Sequence, residues 1–141
     1  MPVDNDIHLL LVENDELTRE VFFRSILGHF PQLKAEVASN IDEAIQLLTP
    51  NKYDIIVCDA FIPHDNKISF VKCLCGIIQN KPAVIVITGD TDIAHTIFST
   101  LTGVCMLEVI YKPIDVNEFI RKLQGAIDMI KGRRVNKNSI Y

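Results

Sequence analysis

YDIIVCDAFIP, residues 53–63, is the stretch of sequence that decides the fold. Its apolar run at 55–58 is rich in Ile and Val, which is typical of a parallel strand buried on both faces. Asp59 follows at the carboxyl end of that strand, where ligands and chemistry lie in open α/β sheets. We interpret a carboxylate in this place either as a phosphoryl acceptor or metal ligand, or as the cap of the next helix.

Similar apolar runs recur along the chain and alternate with amphipathic segments. The predicted strands are 7–12, 34–38, 54–58, 83–87 and 106–110. The predicted helices are 15–28, about 41–48, 67–79, 91–101 and 116–131. Alternating strands and helices predict the α/β class, with one doubly wound five-stranded parallel sheet and right-handed crossovers.

Single residues indicate how three of these helices begin and pack. Asn40 with Glu43 has the spacing of a capping box, and Asp115 is placed to cap the last helix. Leu17 in the first helix and Phe119 in the last are predicted to belong to the core.

Composition and charge exclude several classes of protein. The chain of 141 residues is long enough for one domain, predicted at 6–131, with 132–141 as a flexible tail or a truncated linker. A formal net charge of -4 argues against a nucleic-acid-binding surface. The apolar runs are far shorter than the roughly 20 residues that span a bilayer, and Asp4 and Asp6 replace the positive start of a signal peptide. We therefore predict a cytoplasmic protein without a membrane segment.

Polar residues follow four of the predicted strands. They are Glu13-Asn14-Asp15, Asp59, Thr88 and Lys112. Because the carboxyl ends of parallel strands meet at one edge of a sheet, we expect these residues to lie close together. The alternative is that Glu13 and Asp15 only cap the following helix, and that the other residues end their strands without a common function.

The residue types in this group fit phosphoryl transfer to Asp59. An aspartate can attack phosphorus and form an aspartyl phosphate. Because the nucleophile and the phosphoryl group are both anionic, the reaction needs positive charge. Mg²⁺ bound by carboxylate and carbonyl oxygens would supply it, together with the ammonium of Lys112. The hydroxyl of Thr88 can donate a hydrogen bond to a phosphoryl oxygen.

Four motifs carry a resemblance to a known family. They are LLVEND at 10–15, Asp59 followed by Pro63, VIT at 86–88 and Lys112-Pro113. On these motifs the chain resembles the receiver domain of two-component response regulators over about residues 6–131. The resemblance implies the flavodoxin-like (βα)5 receiver fold.

The resemblance also implies roles for individual residues. Asp59 would accept a phosphoryl group from a sensor histidine kinase or a histidine phosphotransfer protein, with Thr88 as the switch hydroxyl and Lys112 as the phosphate-pairing lysine. The Lys112–Pro113 peptide bond would be cis. The family's Mg²⁺ ligands would be represented here by Glu13, Asn14, Asp59 and the backbone carbonyl of Phe61.

Three departures from the family pattern predict an atypical receiver. Asn14 supplies an amide where the acidic pair of the family has a carboxylate, so we expect weaker Mg²⁺ binding. The aromatic switch residue of the family would lie at Val109, whereas Tyr111 directly precedes Lys112. The separation of Thr88 from Lys112 is also longer than usual, so we expect the phosphorylation signal to be read out differently.

Two functions stay open at this point. The first is a phosphorylation-dependent switch whose partner-binding face comprises the helix 91–101, the fifth strand and the last helix, with a homodimer through 91–131 as one outcome. The alternative is a pseudo-receiver, the same fold used for protein interaction or dimerisation without phosphorylation. Either would act on a downstream protein partner or on an effector domain outside this chain. Catalysis beyond self-phosphorylation and self-dephosphorylation is disfavoured, because a phosphatase of the haloacid dehalogenase type needs a second aspartate where Phe61 stands.

Overall fold

A computed structural model of the chain describes residues 6–50, 53–59, 81–89, 91, 92, 95, 99 and 106–137. The strands within these residues are β1 (His8–Val12), β2 (Lys34–Ala38), β3 (Ile55–Asp59), β4 (Ala83–Thr88) and β5 (Met106–Tyr111). They pair in parallel in one sheet of order β2-β1-β3-β4-β5. The predicted five-stranded parallel sheet is therefore confirmed.

Helices cover both faces of this sheet. The described residues contain α1 (Glu16–His29), α2 (Ile41–Leu48) and α3 (Val116–Lys137). α2 packs on one face, whereas α1 and α3 pack on the other, so the sheet is doubly wound as predicted. The predicted helix 67–79 lies outside the described residues, and of the predicted helix 91–101 the structure describes four helical residues, Thr91, Asp92, His95 and Ser99. None of the described helices has the length and hydropathy of a membrane span.

The central strands are buried on both faces. Every residue of β3 and β4 is buried, as the runs of Ile and Val predict. β2 lies at the edge of the sheet and is more polar, with Lys34, Glu36 and Val37 exposed. Asp59 is the last residue of β3 rather than the first residue after it, so its carboxylate lies at the buried end of a central strand.

The packing face of α1 differs from the prediction. Leu17 is 71% exposed and Val21 is 54% exposed, so the assignment of Leu17 to the core is wrong. The buried residues are Phe22 and Ile26, one helical turn apart. Phe22 packs against Phe119 of α3, which is buried as predicted, with ring centroids 5.0 Å apart. α1 carries apolar side chains on two sides, and the side with the aromatic ring is the one that packs on the sheet.

Ile26→Val tests which side of α1 belongs to the core. We expect it to lower the free energy of unfolding by about 1 kcal/mol, because it shortens a side chain that is fully buried. Urea denaturation measures this difference. Leu17→Ala is the control, since it removes more apolar atoms from an exposed side chain and should change the free energy of unfolding by less than about 0.5 kcal/mol. A larger loss in the control than in Ile26→Val would contradict the packing of α1.

The predicted caps of the later helices are confirmed. Asn40 Oδ1 accepts a hydrogen bond from the backbone N–H of Glu43 (2.8 Å) at the start of α2. Asp115 Oδ1 accepts one from the backbone N–H of Asn117 (2.9 Å) at the start of α3. The Glu43 carboxylate binds the backbone N–H and hydroxyl of Ser39, at 3.0 and 2.8 Å, which ties the end of β2 to α2.

α3 continues past its predicted end at about Lys131. Residues 132–137 are helical, so the prediction of a flexible tail is wrong for them. Arg133 Nη1 donates to the carbonyl oxygen of Lys81 (2.8 Å), and Arg134 Nη2 lies 3.1 Å from Asp54 Oδ2. These contacts tie the last turns of α3 to the amino end of the sheet. Because they are polar, the hydrophobic pattern of the sequence does not show them.

Candidate functional site

The carboxyl ends of β1, β3 and β5 meet around an open cleft of about 420 Å³. The sheet register pairs Val12 with Cys58, so the residues that follow β1 stand beside Asp59. The cleft is lined by Glu13, Asn14, Asp15, Thr18, Asp59, Lys112, Pro113 and Ile114. The structure thus brings together the predicted site residues of three strands.

Thr88 lies at the end of β4 next to this cleft. It is fully buried and pairs with Tyr111 across the sheet, and its carbonyl oxygen accepts a hydrogen bond from the backbone N–H of Lys112 (2.9 Å). Thr88 is therefore part of the same strand-end cluster, although it does not line the cleft. The Lys112–Pro113 peptide bond is cis, as predicted.

Lys112 and Asp59 form an ion pair in the cleft. Lys112 Nζ lies 3.0 Å from Asp59 Oδ2. The side chain of Asp59 is 8% exposed, whereas that of Lys112 is 37% exposed. The ammonium group therefore reaches the buried carboxylate from the solvent side, where it can also contact an anion that approaches Asp59.

Glu13 is the second buried carboxyl group of the site. Its backbone N–H donates to the carbonyl oxygen of Ala38 (3.0 Å), which fixes the loop after β1 to the end of β2. Burial is the main cause that raises the pKa of Glu13 to about 7, and the hydrogen bond and negative charge of Asp59 raise it further. The backbone N–H of Asp15, which donates to Glu13 Oε1 (3.1 Å), and the charge of Lys112 act in the opposite direction. Glu13 and Asp59 are therefore adjacent carboxyl groups that compete for one local positive charge.

Asp15 caps α1, which confirms the capping interpretation for this residue. Its Oδ2 accepts hydrogen bonds from the backbone N–H of Thr18 (2.8 Å) and from the Thr18 hydroxyl (2.6 Å). These two bonds hold the pKa of Asp15 below its usual value. Because its carboxylate serves the first turn of α1, Asp15 does not replace the carboxylate that Asn14 lacks.

Asn14 borders the cleft and is exposed. Its Nδ2 lies 3.4 Å from the carbonyl oxygen of Ser39. A backbone carbonyl only accepts hydrogen bonds, so the amide nitrogen must face Ser39 and the amide oxygen must face away from it. This contact fixes the orientation of the Asn14 side chain.

Arg19 is a site residue that the sequence did not indicate. Its Nη1 donates to the carbonyl oxygens of Glu13 (3.0 Å) and Asn14 (3.3 Å). The available signal was a basic residue in the second turn of α1, but such a residue is ordinarily a solvated surface charge.

The donor set fits Mg²⁺ with a largely hydrated coordination shell. Glu13 and Asp59 offer adjacent carboxylates, and Asn14 offers an amide oxygen. In the described part of the chain, no group of three or more His, Cys, Asp or Glu side chains could hold a metal ion. Mg²⁺ in proteins is often bound by one or two carboxylates and keeps several waters. The carboxylates of Glu13 and Asp59 are therefore enough for such a site. The predicted fourth ligand, the carbonyl of Phe61, lies outside the described residues.

The position of the predicted aromatic switch is occupied by a core residue. Val109 is buried and packs with Val84 and Val86 of β4. Tyr111 is 46% exposed and lies opposite Thr88 in the sheet. Among the described residues, the aromatic residue paired with Thr88 is therefore Tyr111, at the end of β5.

Comparisons with known proteins agree with this fold. A family model described as the response regulator receiver domain matches residues 9–124. A search of curated protein sequences finds no match.

Several solved structures share the fold. The chain is similar to a CheY-like response regulator receiver domain protein from Methanospirillum hungatei JF-1, with a TM-score of 0.72, 15% identity, and coverage of 90% of this chain and 98% of that one. For a response regulator from Colwellia psychrerythraea the TM-score is 0.69, with 19% identity and coverage of 87% and 98%. For a response regulator protein from Burkholderia pseudomallei the TM-score is 0.69, with 20% identity and coverage of 96% and 76%. At these identities the likeness shows the fold alone.

Proposed function

The chain belongs to the response regulator receiver domain family, and on this premise we propose that it is a signalling switch that accepts a phosphoryl group on Asp59. The observation that carries the proposal is the 3.0 Å ion pair between Lys112 Nζ and Asp59 Oδ2, beside a second carboxyl group at the carboxyl end of the sheet. A half-exposed lysine against a buried aspartate has the arrangement that an incoming phosphoryl anion requires. The similar Burkholderia pseudomallei structure contains a phosphorylated aspartic acid and a calcium ion.

The proposed reaction is transfer from a phosphohistidine of a histidine kinase or phosphotransfer protein. A carboxylate oxygen of Asp59 attacks phosphorus, the new P–O bond gives an aspartyl phosphate, and the P–N bond breaks. The histidine nitrogen keeps the electron pair of that bond. Lys112, released from the Asp59 oxygen, pairs with a phosphoryl oxygen, and the Thr88 hydroxyl donates to another.

Glu13, Asp59 and Asn14 are the described residues that would hold Mg²⁺. Bound there, the ion would neutralise charge on the phosphoryl oxygens. Glu13 and Asp59 repel one another when both are ionised, which adds to the effect of burial in raising the pKa of Glu13. A cation bound by both carboxylates would offset this repulsion.

The output is proposed to be a change in the surface that β5 and α3 present to a downstream partner or a second copy. Phosphorylation would bias a two-state surface by drawing Thr88 toward Asp59. Tyr111, opposite Thr88 and half exposed, is the described side chain best placed to respond. The receiver domain is proposed to span 6–131.

The proposal is tested by incubating the chain with acetyl phosphate and Mg²⁺ and measuring its intact mass. We expect a gain of one phosphoryl group per chain, lost again on standing because acyl phosphates hydrolyse. No gain at any Mg²⁺ concentration would contradict the proposal.

A pseudo-receiver is the second candidate function, and Asn14 is the observation that favours it. The amide replaces a charged ligand, and the described residues hold no third carboxylate that could act in its place. A Mg²⁺ titration separates the two functions, because a pocket without a metal role should show no saturable heat or change in melting temperature.

Asn14→Asp tests how far the amide limits metal binding. We expect the Kd for Mg²⁺ to fall about tenfold, because ligand charge is the main determinant of affinity for a hard cation. Isothermal titration calorimetry measures the change. Asn40→Asp is the matched control, since it adds the same charge at the cap of α2, outside the residues that line the cleft. An equal effect in both variants would show that the gain comes from net charge and not from a new ligand.

A further inference from the structure

Arg19 makes an unusual contact for a residue on the surface of a helix. A single nitrogen, Nη1, donates to two successive backbone carbonyl oxygens, those of Glu13 at 3.0 Å and Asn14 at 3.3 Å. Its own backbone N–H donates to the carbonyl oxygen of Asp15 (2.8 Å), so its Cα is fixed in the helix. The side chain is half-buried. Arg19 therefore connects a rigid element, α1, to the loop that carries two of the proposed metal ligands.

The two carbonyls that Arg19 binds belong to the two successive peptide units that flank the Asn14 Cα. Because a peptide unit is planar, fixing the carbonyl oxygens on either side of the Asn14 Cα restricts the direction in which the Asn14 side chain leaves the loop. The Ser39 carbonyl at 3.4 Å then sets which way the Asn14 amide faces. On the other side of the loop, the backbone N–H of Glu13 is held by Ala38. Arg19 thus supplies the restraint from α1, and the end of β2 supplies the opposing one.

We propose that Arg19 is a positioning residue that holds the carbonyls of Glu13 and Asn14 so that their side chains converge on one divalent cation. The inference rests on the metal site of the proposed function. The proposed role of Arg19 runs against the effect of its own positive charge. A positive group near a cation site weakens cation binding by Coulomb repulsion. Hydrogen bonds from Thr18 and Ser39 are the main causes that lower the pKa of Asp15 and of Glu43, and the charge of Arg19 adds a smaller contribution in both cases.

The two effects of Arg19 have opposite signs, and this makes the inference testable. If Arg19 acts only through its charge, removing the charge should tighten Mg²⁺ binding. If it acts by positioning the loop, removing its hydrogen bonds should weaken Mg²⁺ binding. Residues that orient metal ligands typically contribute about 10- to 100-fold in affinity. Positioning should therefore exceed the repulsion from an ion that is partly exposed to solvent.

Arg19→Met is the decisive variant, because methionine keeps an unbranched apolar stem and removes every donor and the charge. By calorimetry we expect its Kd for Mg²⁺ to be about tenfold higher than that of the wild type. Arg19→Lys keeps the charge without the planar, multiple-donor geometry, so an intermediate Kd is expected. Arg24→Met is the matched control on the same helix, since Arg24 is exposed and pairs with Glu20; its Kd should remain within about twofold of the wild type.

A second readout separates positioning from general damage to the fold. With acetyl phosphate as donor, Arg19→Met should need about tenfold more Mg²⁺ for half-maximal phosphorylation, whereas the rate at saturating Mg²⁺ stays close to that of the wild type. Urea denaturation in chelator confirms that each variant is folded. If Arg19→Met does not fold, Arg19→Lys decides, and a wild-type Kd in that variant overturns the inference.

The outcomes distinguish this inference from the proposed function. Unchanged or tighter Mg²⁺ binding by Arg19→Met overturns the positioning role, even if the wild type is phosphorylated normally. Weaker binding by Arg19→Met, in a wild type that binds Mg²⁺ but gains no phosphoryl group, supports the positioning role and contradicts the proposed function. A wild type without saturable Mg²⁺ binding overturns the positioning role.

Discussion

Asp59→Asn is expected to abolish the gain of a phosphoryl group from acetyl phosphate, as measured by intact mass. The substitution keeps the size and shape of a side chain that is 8% exposed at the end of β3. It replaces the attacking oxygen by an amide, whose electron pair is delocalised and which is not a nucleophile toward phosphorus under these conditions. The amide oxygen can still accept a hydrogen bond from Lys112, so the cleft should persist without its acceptor.

Asp54→Asn is the control for this experiment. Asp54 precedes the same strand, and its Oδ2 accepts hydrogen bonds from the backbone N–H of His8 (2.9 Å) and from Arg134 (3.1 Å). It lies at the amino end of β3, away from the cleft, so this variant should be phosphorylated like the wild type. A phosphoryl adduct that still forms in Asp59→Asn would show that another group is the acceptor and would contradict the assignment of Asp59. Glu13 would then be the first alternative.

The fold was predictable because its signals are local and repeated. β3 and β4 are apolar at every position before the last residue of the strand. Such short continuous apolar runs are typical of parallel strands that are buried on both faces. The packing face of α1 was not predictable in the same way. Leu17 and Val21 form an apolar pair on one side, and Phe22 and Ile26 form another. A helical period cannot tell which pair the sheet will cover, since the burial depends on neighbours that are distant in sequence.

The positions of the site residues followed from topology, but their contacts did not. Parallel strands bring their carboxyl ends to one edge, and this alone predicted that Asp59 and Lys112 lie together. Which acidic residue of the loop after β1 stands next to Asp59 depended on side-chain geometry within three residues. Glu13 is buried next to Asp59, whereas Asp15 turns to Thr18. The contacts of Arg19 could not be predicted from the sequence. Every residue has a backbone carbonyl, so the residue types at positions 13 and 14 do not indicate that a side chain binds there.

Glu13→Gln is expected to remove a pH dependence from the stability of the metal-free protein. The pKa of Glu13 is about 7 in the folded chain, against 4.5 for an ordinary glutamate, chiefly because of burial and also because of Asp59. The folded state therefore binds more protons than the unfolded state between these two values. The stabilisation is fully present below about pH 4.5 and is lost as the pH rises through about 7, by on the order of 3 kcal/mol.

Glutamine imitates the protonated form of Glu13 at every pH. Its amide oxygen can accept from the backbone N–H of Asp15, and its NH₂ group can donate to Asp59, as a protonated carboxyl does. In chelator at about pH 8, Glu13→Gln should therefore be more stable than the wild type by on the order of 3 kcal/mol, whereas at about pH 4 the two should be nearly equal. Urea denaturation at both pH values measures the difference. Glu16→Gln, which changes an exposed residue in the first turn of α1, is the control and should show the same pH dependence as the wild type. If the free energy of unfolding changes with pH in the same way in the wild type and in Glu13→Gln, the pKa of Glu13 is not raised by burial and Asp59.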